Sequence, residues 1–408
     1  MKILHILKSV NPAEGGVVEV ASKLSAVLAK SGWEHEFVTL DRPSDPWVKS
    51  CPIKVHATNI DTPAYAWLQP RIPWLRYGFN PHLAPWLAKN ADRFDAIVVN
   101  GLWNFTAMAA RLVLPKQKVP YIVFTHGMID PWFRQAYPIK NLAKQLVWWL
   151  VEGPLLRHAR HVVFLAEEER LLARNAFWPY RINEAVVGNG TVSPDASPAD
   201  QETAFADQFP GLKGKRFVMF LSRIHRKKGC DLLLRAFAET LHLEPDVELV
   251  MAGPGEQDLL DELKKLADEL GIAPKVHWLG MVSGEAKWGA FRSCEAFVLP
   301  SHSENFGAVI AEAMACAKPV LITNKINIWR EVEASGGGYA DDDTVEGVVS
   351  LLKRFYSLST AQKQQMGLAA RQGFERYFDL TKTAMTFKNL LESEVKSNLK
   401  SVRERLVD

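Results

Sequence analysis

Eleven short apolar runs recur along this 408-residue chain, each closed by a polar, glycine or proline turn and followed by a helix-patterned stretch. The first six are KILHIL, HEFVTLD, DAIVVNG, PYIVFTHG, HVVFLA and EAVVGNG; the other five are RFVMFLSR, VELVMAGPG, KVHWLG, CEAFVLP and KPVLIT. Strands that alternate with helices build parallel sheets covered by helices on both faces, which makes the chain an α/β protein. The alternation breaks once, at GTVSPDASPADQETAFADQFPGLKGK (Gly190 to Lys215), where Pro, Ser, Asp and Gly dominate. We read that stretch as a linker between two Rossmann-like domains, residues 1–190 and 191–383. The charged helical tail is expected to return to the first domain within residues 384–408.

Bulk properties exclude several classes. A length of 408 residues suits two or three domains, and 48% hydrophobic with 23% charged residues is the composition of an ordinary globular protein. The formal net charge of +3 does not argue for a nucleic-acid partner. Cys51, Cys230, Cys294 and Cys316 are far apart, with no CxxC pair or His/Cys cluster, as expected of a reducing compartment without structural zinc. The N-terminal MKILHILKS is too short for a signal-peptide core, and no run approaches the ~20 apolar residues of a membrane helix. A cytoplasmic protein, at most resting on the inner membrane face, is expected.

Ten of the 13 tryptophans lie before residue 180, many of them in Tyr65–Leu87 and Trp132–Leu150. Most are expected in cores and helix contacts. Between Arg134 and His161, however, five Lys/Arg stand against the single acid Glu152, mixed with Trp148 and Trp149. That composition suits either a solvated basic helix or one lying on an anionic lipid surface.

In open parallel sheets, ligands sit beyond the carboxyl ends of the strands, and several candidate residues fall there. Gly15 and Gly16 follow the first strand and lead into a helix, where backbone can approach a phosphate. Asp41, ending the second strand, stands where a dinucleotide-binding fold places its ribose acid, although EGGVVE lacks the G-x-G-x-x-G spacing. GPGEQ (Gly253 to Gln257) is a second, equally unspecific glycine turn. His126 follows a strand in FTHGMID. In LSRIHRKKG, Arg223 abuts a strand and Lys228 precedes Gly229 and a helix, a plausible diphosphate clamp, whereas Arg226 and Lys227 read as surface charge. Lastly, SENFGAVIAEAMACAKPV (Ser303 to Val320) is a strand-to-helix turn with the helix starting near Ala308. It sets Glu304 in the loop, Glu312 about one turn into the helix, and the amides of Asn305 to Ala308 between them. Carboxylates suit hydroxyls and free amides suit phosphate, so the turn suits a ligand that is both polyhydroxylated and anionic.

Taken together, SRIHRKKG and ENFGAVIAE resemble glycosyltransferase family 4, retaining enzymes of the GT-B fold whose two Rossmann-like domains face each other across a cleft. The resemblance covers most of the chain and implies roles residue by residue. Glu312 would hold the nucleotide ribose. Glu304, Asn305, Phe306 and Gly307 would hold the donor sugar. Arg223 and Lys228 would bind the diphosphate, with Gly15 and Gly16 facing it, while His126 would lie by the sugar and Met281 near the base. HGMIDPW and ACAKPVLIT resemble members that build bacterial exopolysaccharide or lipopolysaccharide. Ala317 departs from the family's frequent glycine before KPV, and NKINIWREV is bulkier than the family pattern.

The resemblance therefore implies hexose transfer from a nucleotide-sugar, UDP-linked by preference, to a glycan or lipid-linked acceptor. Breaking the sugar–diphosphate bond develops negative charge on the leaving group, which Arg223, Lys228 and the helix amides can stabilise. No Asp-x-Asp-like set stands near these loops, so no metal and no other cofactor is expected. The alternatives are a sugar-nucleotide epimerase or phosphorylase of the same fold, an NAD-dependent dehydrogenase, and a non-catalytic sugar-binding protein.

Overall fold

A computed structural model of the chain describes residues 1–62, 68, 71, 77–131, 134, 138–194 and 196–407. It divides into two compact units, Met1–Asn189 with Thr383–Asp408, and Gly190–Lys382.

The first unit is built on β1 (Lys2–Ile6), β2 (Glu34–Thr39), β3 (Lys54–Ala57), β4 (Ala96–Asn100), β5 (Tyr121–Phe124), β6 (Val162–Phe164) and β7 (Glu184–Val186). They form one sheet in the order β3-β2-β1-β4-β5-β6-β7, and every pairing is parallel. Successive side chains of an extended chain point to opposite faces, so β1 and the residue that follows it supply two cores. Leu4 and Ile6 join the larger one, with Val38, Val99 and Phe164, whereas Leu7 and Phe37 pack beneath the helix Gly16–Ala29. Strand order reverses between β1 and β4, and the crevice at such a reversal is where open sheets receive ligands. The chain's last helix, Leu380–Val407, belongs to this unit from Thr383 onward. Phe387 meets Phe124 edge-on at 5.5 Å, and Glu394 pairs with His161 at 3.0 Å.

The second unit repeats the plan with β8 (Arg216–Leu221), β9 (Val247–Ala252), β10 (Val276–Gly280), β11 (Ala296–Leu299), β12 (Val320–Thr323) and β13 (Gly338–Asp341). Their order is β10-β9-β8-β11-β12-β13, again parallel throughout, and the reversal falls between β8 and β11.

Two strands, β3 and β13, are absent from the eleven apolar runs. Both lie at sheet edges, β3 with no fully buried residue and β13 with one. An edge strand is half solvated, so its sequence (KVHA, GYAD) needs no apolar run. The reading of Gly190–Lys215 as a linker is also corrected. Pro198–Gln208 is a helix of the second unit, with Gln201 and Phe205 buried. It approaches the helix Gly284–Ser293 so closely that a Cβ on Gly289 would lie 1.9 Å from the carbonyl of Gln201. Its polar sequence reflects one exposed face rather than a loop.

Trp67, Trp74 and Trp132 of the aromatic segments lie outside the described residues. Trp33 and Trp148 are buried, and Trp148 stacks on Phe177 at 5.0 Å. The helix Pro138–Val147 and the following π-helical turn Trp148–Glu152 instead expose Leu142, Leu146, Trp149 and Leu150. Among the described residues, no helix is long and apolar enough to cross a membrane.

Candidate functional site

In the second unit the site begins with the loop after β8. Ile224 donates its amide to the carbonyl of Pro254 at 2.7 Å, tying the loop to the turn after β9. His225 Nδ1 accepts from the Lys227 amide at 3.1 Å, closing a single 3-10 turn over Arg226–Lys228. Gly229 then takes φ 64°, and a Cβ there would lie 2.1 Å from the carbonyl oxygen of Pro300. Only a glycine permits both the left-handed turn and that approach. The approach lays the β8 loop against the end of β11, at the strand-order reversal. In consequence Lys228 Nζ forms an ion pair with Glu304 Oε2 although the two are 76 residues apart. Arg223, earlier in the same loop, is exposed and has no side-chain partner among the described residues. Arg226 pairs with Glu262 at 2.7 Å on the open surface, as its reading as surface charge anticipates.

The loop after β11 is held from the β12 side. Glu304 donates its amide to the Lys325 carbonyl at 3.1 Å and accepts from the Asn327 amide at 3.0 Å. Asn327 Nδ2 also donates to Asn305 Oδ1 at 3.0 Å. Gly307, with φ 66°, turns the chain into the helix Ala308–Ala315, and the amides of Asn305 to Ala308 have no protein acceptor among the described residues. Aligned free amides at a helix N-terminus carry the partial positive charge that favours an anion. The side chain of Phe306 does not share this opening: it is buried edge-on against Phe378 at 5.8 Å, so only its backbone faces the loop. Glu312, one turn into the helix, is paired with Lys287 Nζ at 2.8 Å. Lys287 lies on the helix after β10 and was not anticipated, since nothing in GEAKWGAF sets it apart from a surface lysine. Met281, at the carboxyl end of β10, is 66% exposed.

In the first unit, Gly15 caps the helix Gly16–Ala29, and a Cβ on either Gly15 or Gly16 would meet nothing within 4 Å. Asp41 is buried, and both of its oxygens accept hydrogen bonds. One oxygen accepts from Ser9 Oγ at 2.5 Å and Trp47 Nε1 at 2.9 Å, the other from the Val10 amide at 2.8 Å. Its carboxylate is held by the chain's own donors, which counts against the dinucleotide reading of Asp41.

His126 adopts φ 50°, uncommon for a residue with a Cβ, and such outliers gather at functional sites. The turn is held by Glu169, which sequence reasoning passed over among three consecutive glutamates. Its buried Oε1 accepts from the Gly127 amide and Thr125 Oγ1, both at 2.6 Å, and its Oε2 from the Leu165 amide at 2.8 Å. The His126 ring lies on Phe124 at 5.6 Å, with Nε2 3.3 Å from Asn100 Oδ1. Burial holds its imidazole down to about 4, so it is neutral at physiological pH. A second strained residue, Trp103 (φ 63°), stands in the loop after β4, its amide donating to Glu152 Oε1 at 2.7 Å. Burial pushes that carboxyl up to about 7. Among the described residues, no group of three His, Cys, Asp or Glu side chains is placed to hold a metal ion.

This pair of Rossmann-like units, each with its ligand crevice at a strand-order reversal, is the GT-B architecture. The chain belongs to the glycosyltransferases: residues 202–373 match the glycosyl transferases group 1 family, and residues 15–190 the glycosyl transferase 4-like domain. A D-inositol 3-phosphate glycosyltransferase of Mycobacterium sp. (strain JLS) is 38% identical over 159 residues, covering 38% of this chain and 34% of the relative. The chain thus matches only about a third of that relative's length. Two solved structures share the fold over nearly the whole chain. An Anabaena protein, HepE, in complex with UDP has a TM-score of 0.75 and 19% identity, with 96% of this chain and 100% of that one covered. The sucrose-phosphate synthase of Thermosynechococcus elongatus has a TM-score of 0.72 and 18% identity, with 97% and 99% covered.

Proposed function

We propose that the protein is a retaining glycosyltransferase that moves a hexose from a nucleotide-sugar, most simply a UDP-sugar, to a glycan or lipid-linked acceptor in polysaccharide biosynthesis. The observation that carries this reading is the opening at the β8/β11 reversal. There a lysine–glutamate pair lies at the loop that offers four free amides, and the same β8 loop carries an arginine without a side-chain partner among the described residues. Arg223, Lys228 and the amides suit a leaving diphosphate, and the charge they supply needs no divalent metal in this scheme. Glu304 suits hydroxyls of the transferred sugar, and Glu312 those of the ribose, each carboxylate being oriented by its lysine. HepE, a protein of the same fold, has been solved in complex with UDP, which supports that nucleotide here.

Titration with UDP and with NAD separates this reading from the dehydrogenase alternative: UDP binds and NAD does not. Glu312→Ala removes a charged hydrogen-bonded contact worth roughly 1.5–3 kcal/mol, so the UDP Kd should rise by ~10-fold or more. Unchanged UDP affinity in that variant would remove the ribose role. UDP binding with no turnover of any donor would favour a non-catalytic sugar-binding protein.

The apolar stripe of Leu142, Leu146, Trp149 and Leu150, joined by exposed Trp178, supports peripheral contact with an anionic membrane face. Trp149 and Gln145 donate to the Trp178 carbonyl at 2.8 and 2.6 Å, so the stripe and the Trp178 loop form one surface. The one acid in the surrounding basic segment, Glu152, is buried, leaving Lys140, Arg157 and Arg160 exposed. Flotation with phosphatidylglycerol vesicles should carry the parent but not Leu146→Ser/Leu150→Ser. Equal flotation of both with neutral phosphatidylcholine vesicles would count against the electrostatic part.

A further inference from the structure

Four polar side chains run in file across the first unit's sheet, from β2 through β1 and β4 to the end of β5. His35 Nδ1 lies 3.0 Å from His5 Nε2, His5 Nδ1 lies 3.5 Å from Asn100 Nδ2, and Asn100 Oδ1 lies 3.3 Å from His126 Nε2. His5 and Asn100 are almost fully buried. Buried polar groups must find partners, so the arrangement of protons along this file is constrained.

Asn100 sets the direction. Its Nδ2 faces the carbonyl oxygens of Val98 at 3.3 Å and Ile6 at 3.5 Å as well as His5 Nδ1. Two of those three groups can only accept. Turning the amide over would set Oδ1 against two carbonyl oxygens, so the NH2 group stays on that side and Oδ1 stays toward His126. An oxygen acceptor opposite Nε2 requires a proton on Nε2. The same logic runs the other way: His5 accepts at Nδ1, carries its proton on Nε2 and donates to His35 Nδ1. His35 Nε2 then closes the file, buried and without a partner among the described residues. Burial holds His5 well below its ordinary range and His35 down to about 4, so neither ring charges near neutrality and the file keeps its polarity.

We infer that Asn100 is a positioning residue: it locks His126 in the neutral Nε2–H tautomer, so that Nδ1 offers a lone pair at the carboxyl edge of the sheet. Nδ1 has no partner among the described residues. A histidine locked this way accepts a hydrogen bond from a ligand hydroxyl and does not donate to a phosphate. It therefore recognises the sugar rather than the diphosphate, an assignment that deepens the glycosyl-transfer reading and rests on it. Among the described residues no titratable side chain is hydrogen-bonded to the ring. Glu169 spends both oxygens on Thr125, Gly127 and Leu165, His5 sits behind Asn100, and Asp130 lies four residues further along the same loop.

The test is two-bond proton–nitrogen NMR on the full chain labelled with 15N-histidine, the His126 signals being assigned by their loss in His126→Gln. In the parent, Nε2 should be protonated and Nδ1 unprotonated from pH 6 to pH 8. In Asn100→Asp, the new carboxylate should draw the ring toward imidazolium and move its titration upward into or beyond that window. In Asn100→Ala, the single tautomer should give way to a mixture. Turnover should fall by up to about tenfold, the worth of one ordered hydrogen bond, while UDP affinity stays within about twofold. An Nδ1–H tautomer in the parent would overturn the assignment even if both variants failed to fold. So would an Asn100→Asp protein whose His126 titrates as the parent does. The expected tautomer in a protein that transfers no sugar would leave the lock standing and defeat the glycosyl-transfer reading instead.

Discussion

Glu152 offers the sharpest test of how the first unit holds its ligand-facing loop. Its carboxyl is fully buried in the π-helical turn Trp148–Glu152, where Oε1 takes the amide of the strained Trp103 and Oε2 has no partner among the described residues. Burial raises its pKa from 4.5 to about 7, against smaller opposing effects of the Trp103 amide and the Lys144 ammonium. Between those values the folded protein holds a proton that the unfolded chain has released. Stability from this group is therefore fully present below about pH 4.5 and is lost as pH rises through about 7. At 1.36 kcal/mol per unit, the shift amounts to about 3 kcal/mol, of which about 2.5 falls between pH 5 and pH 8. Glu152→Gln keeps the carbonyl that receives the Trp103 amide and removes the titration. Ten of the 13 tryptophans lie before residue 180, so tryptophan emission in a urea titration reports mainly on the first unit. Parent and variant should be within about 1 kcal/mol of each other at pH 5, and the variant the more stable by about 2–3 kcal/mol at pH 8. Other groups titrate in both proteins and cancel in the difference. Parallel pH curves would refute the reasoning, since they would mean that Glu152 is ionised in the folded state.

Three further outcomes are expected. Ala317, the departure from the family's glycine, takes φ 56°, so Ala317→Gly should relieve left-handed strain of ~1–2 kcal/mol against ~0.5–1 of added chain entropy. The melting temperature of the second unit should rise by a few degrees, and a fall would show that the strain is absent. Gly229→Ala should unfold the second unit at markedly lower temperature and weaken UDP binding. Gly271→Ala, which shares a positive φ of 69° but meets nothing within 4 Å, should cost only its backbone strain; equal losses would deny the importance of the Pro300 contact. His126→Ala should leave UDP affinity nearly intact while turnover drops by roughly 10²-fold. The product, read by NMR, should keep the donor's anomeric configuration. An inverted product that is lost in Asp130→Asn but not in His126→Ala would overturn the mechanism.

The sequence by itself determined the architecture, because a strand buried on both faces must be continuously apolar and a crossover helix must be amphipathic. Those two demands, together with the apolar runs that the edge strands β7 and β10 happen to carry, wrote eleven of the 13 strands into local composition. The edge strands β3 and β13 escaped because half-solvated strands carry no such demand, and Pro198–Gln208 escaped because a helix with one buried face reads as polar. Sequence also brought Arg223, Lys228, Glu304 and Glu312 to strand ends and a helix start, since proline, glycine and the end of an apolar run mark those boundaries. What it could not specify was which strand ends become neighbours. The pairing of Lys228 with Glu304 follows from β8 lying beside β11, a register set by long-range sheet formation and by the bare Cα of Gly229 against Pro300. Lys287 opposite Glu312, Glu169 beneath the His126 turn and Asn100 beside its ring likewise look unremarkable in sequence. Their roles arise only when the fold brings them beside these partners and removes much of the water around them.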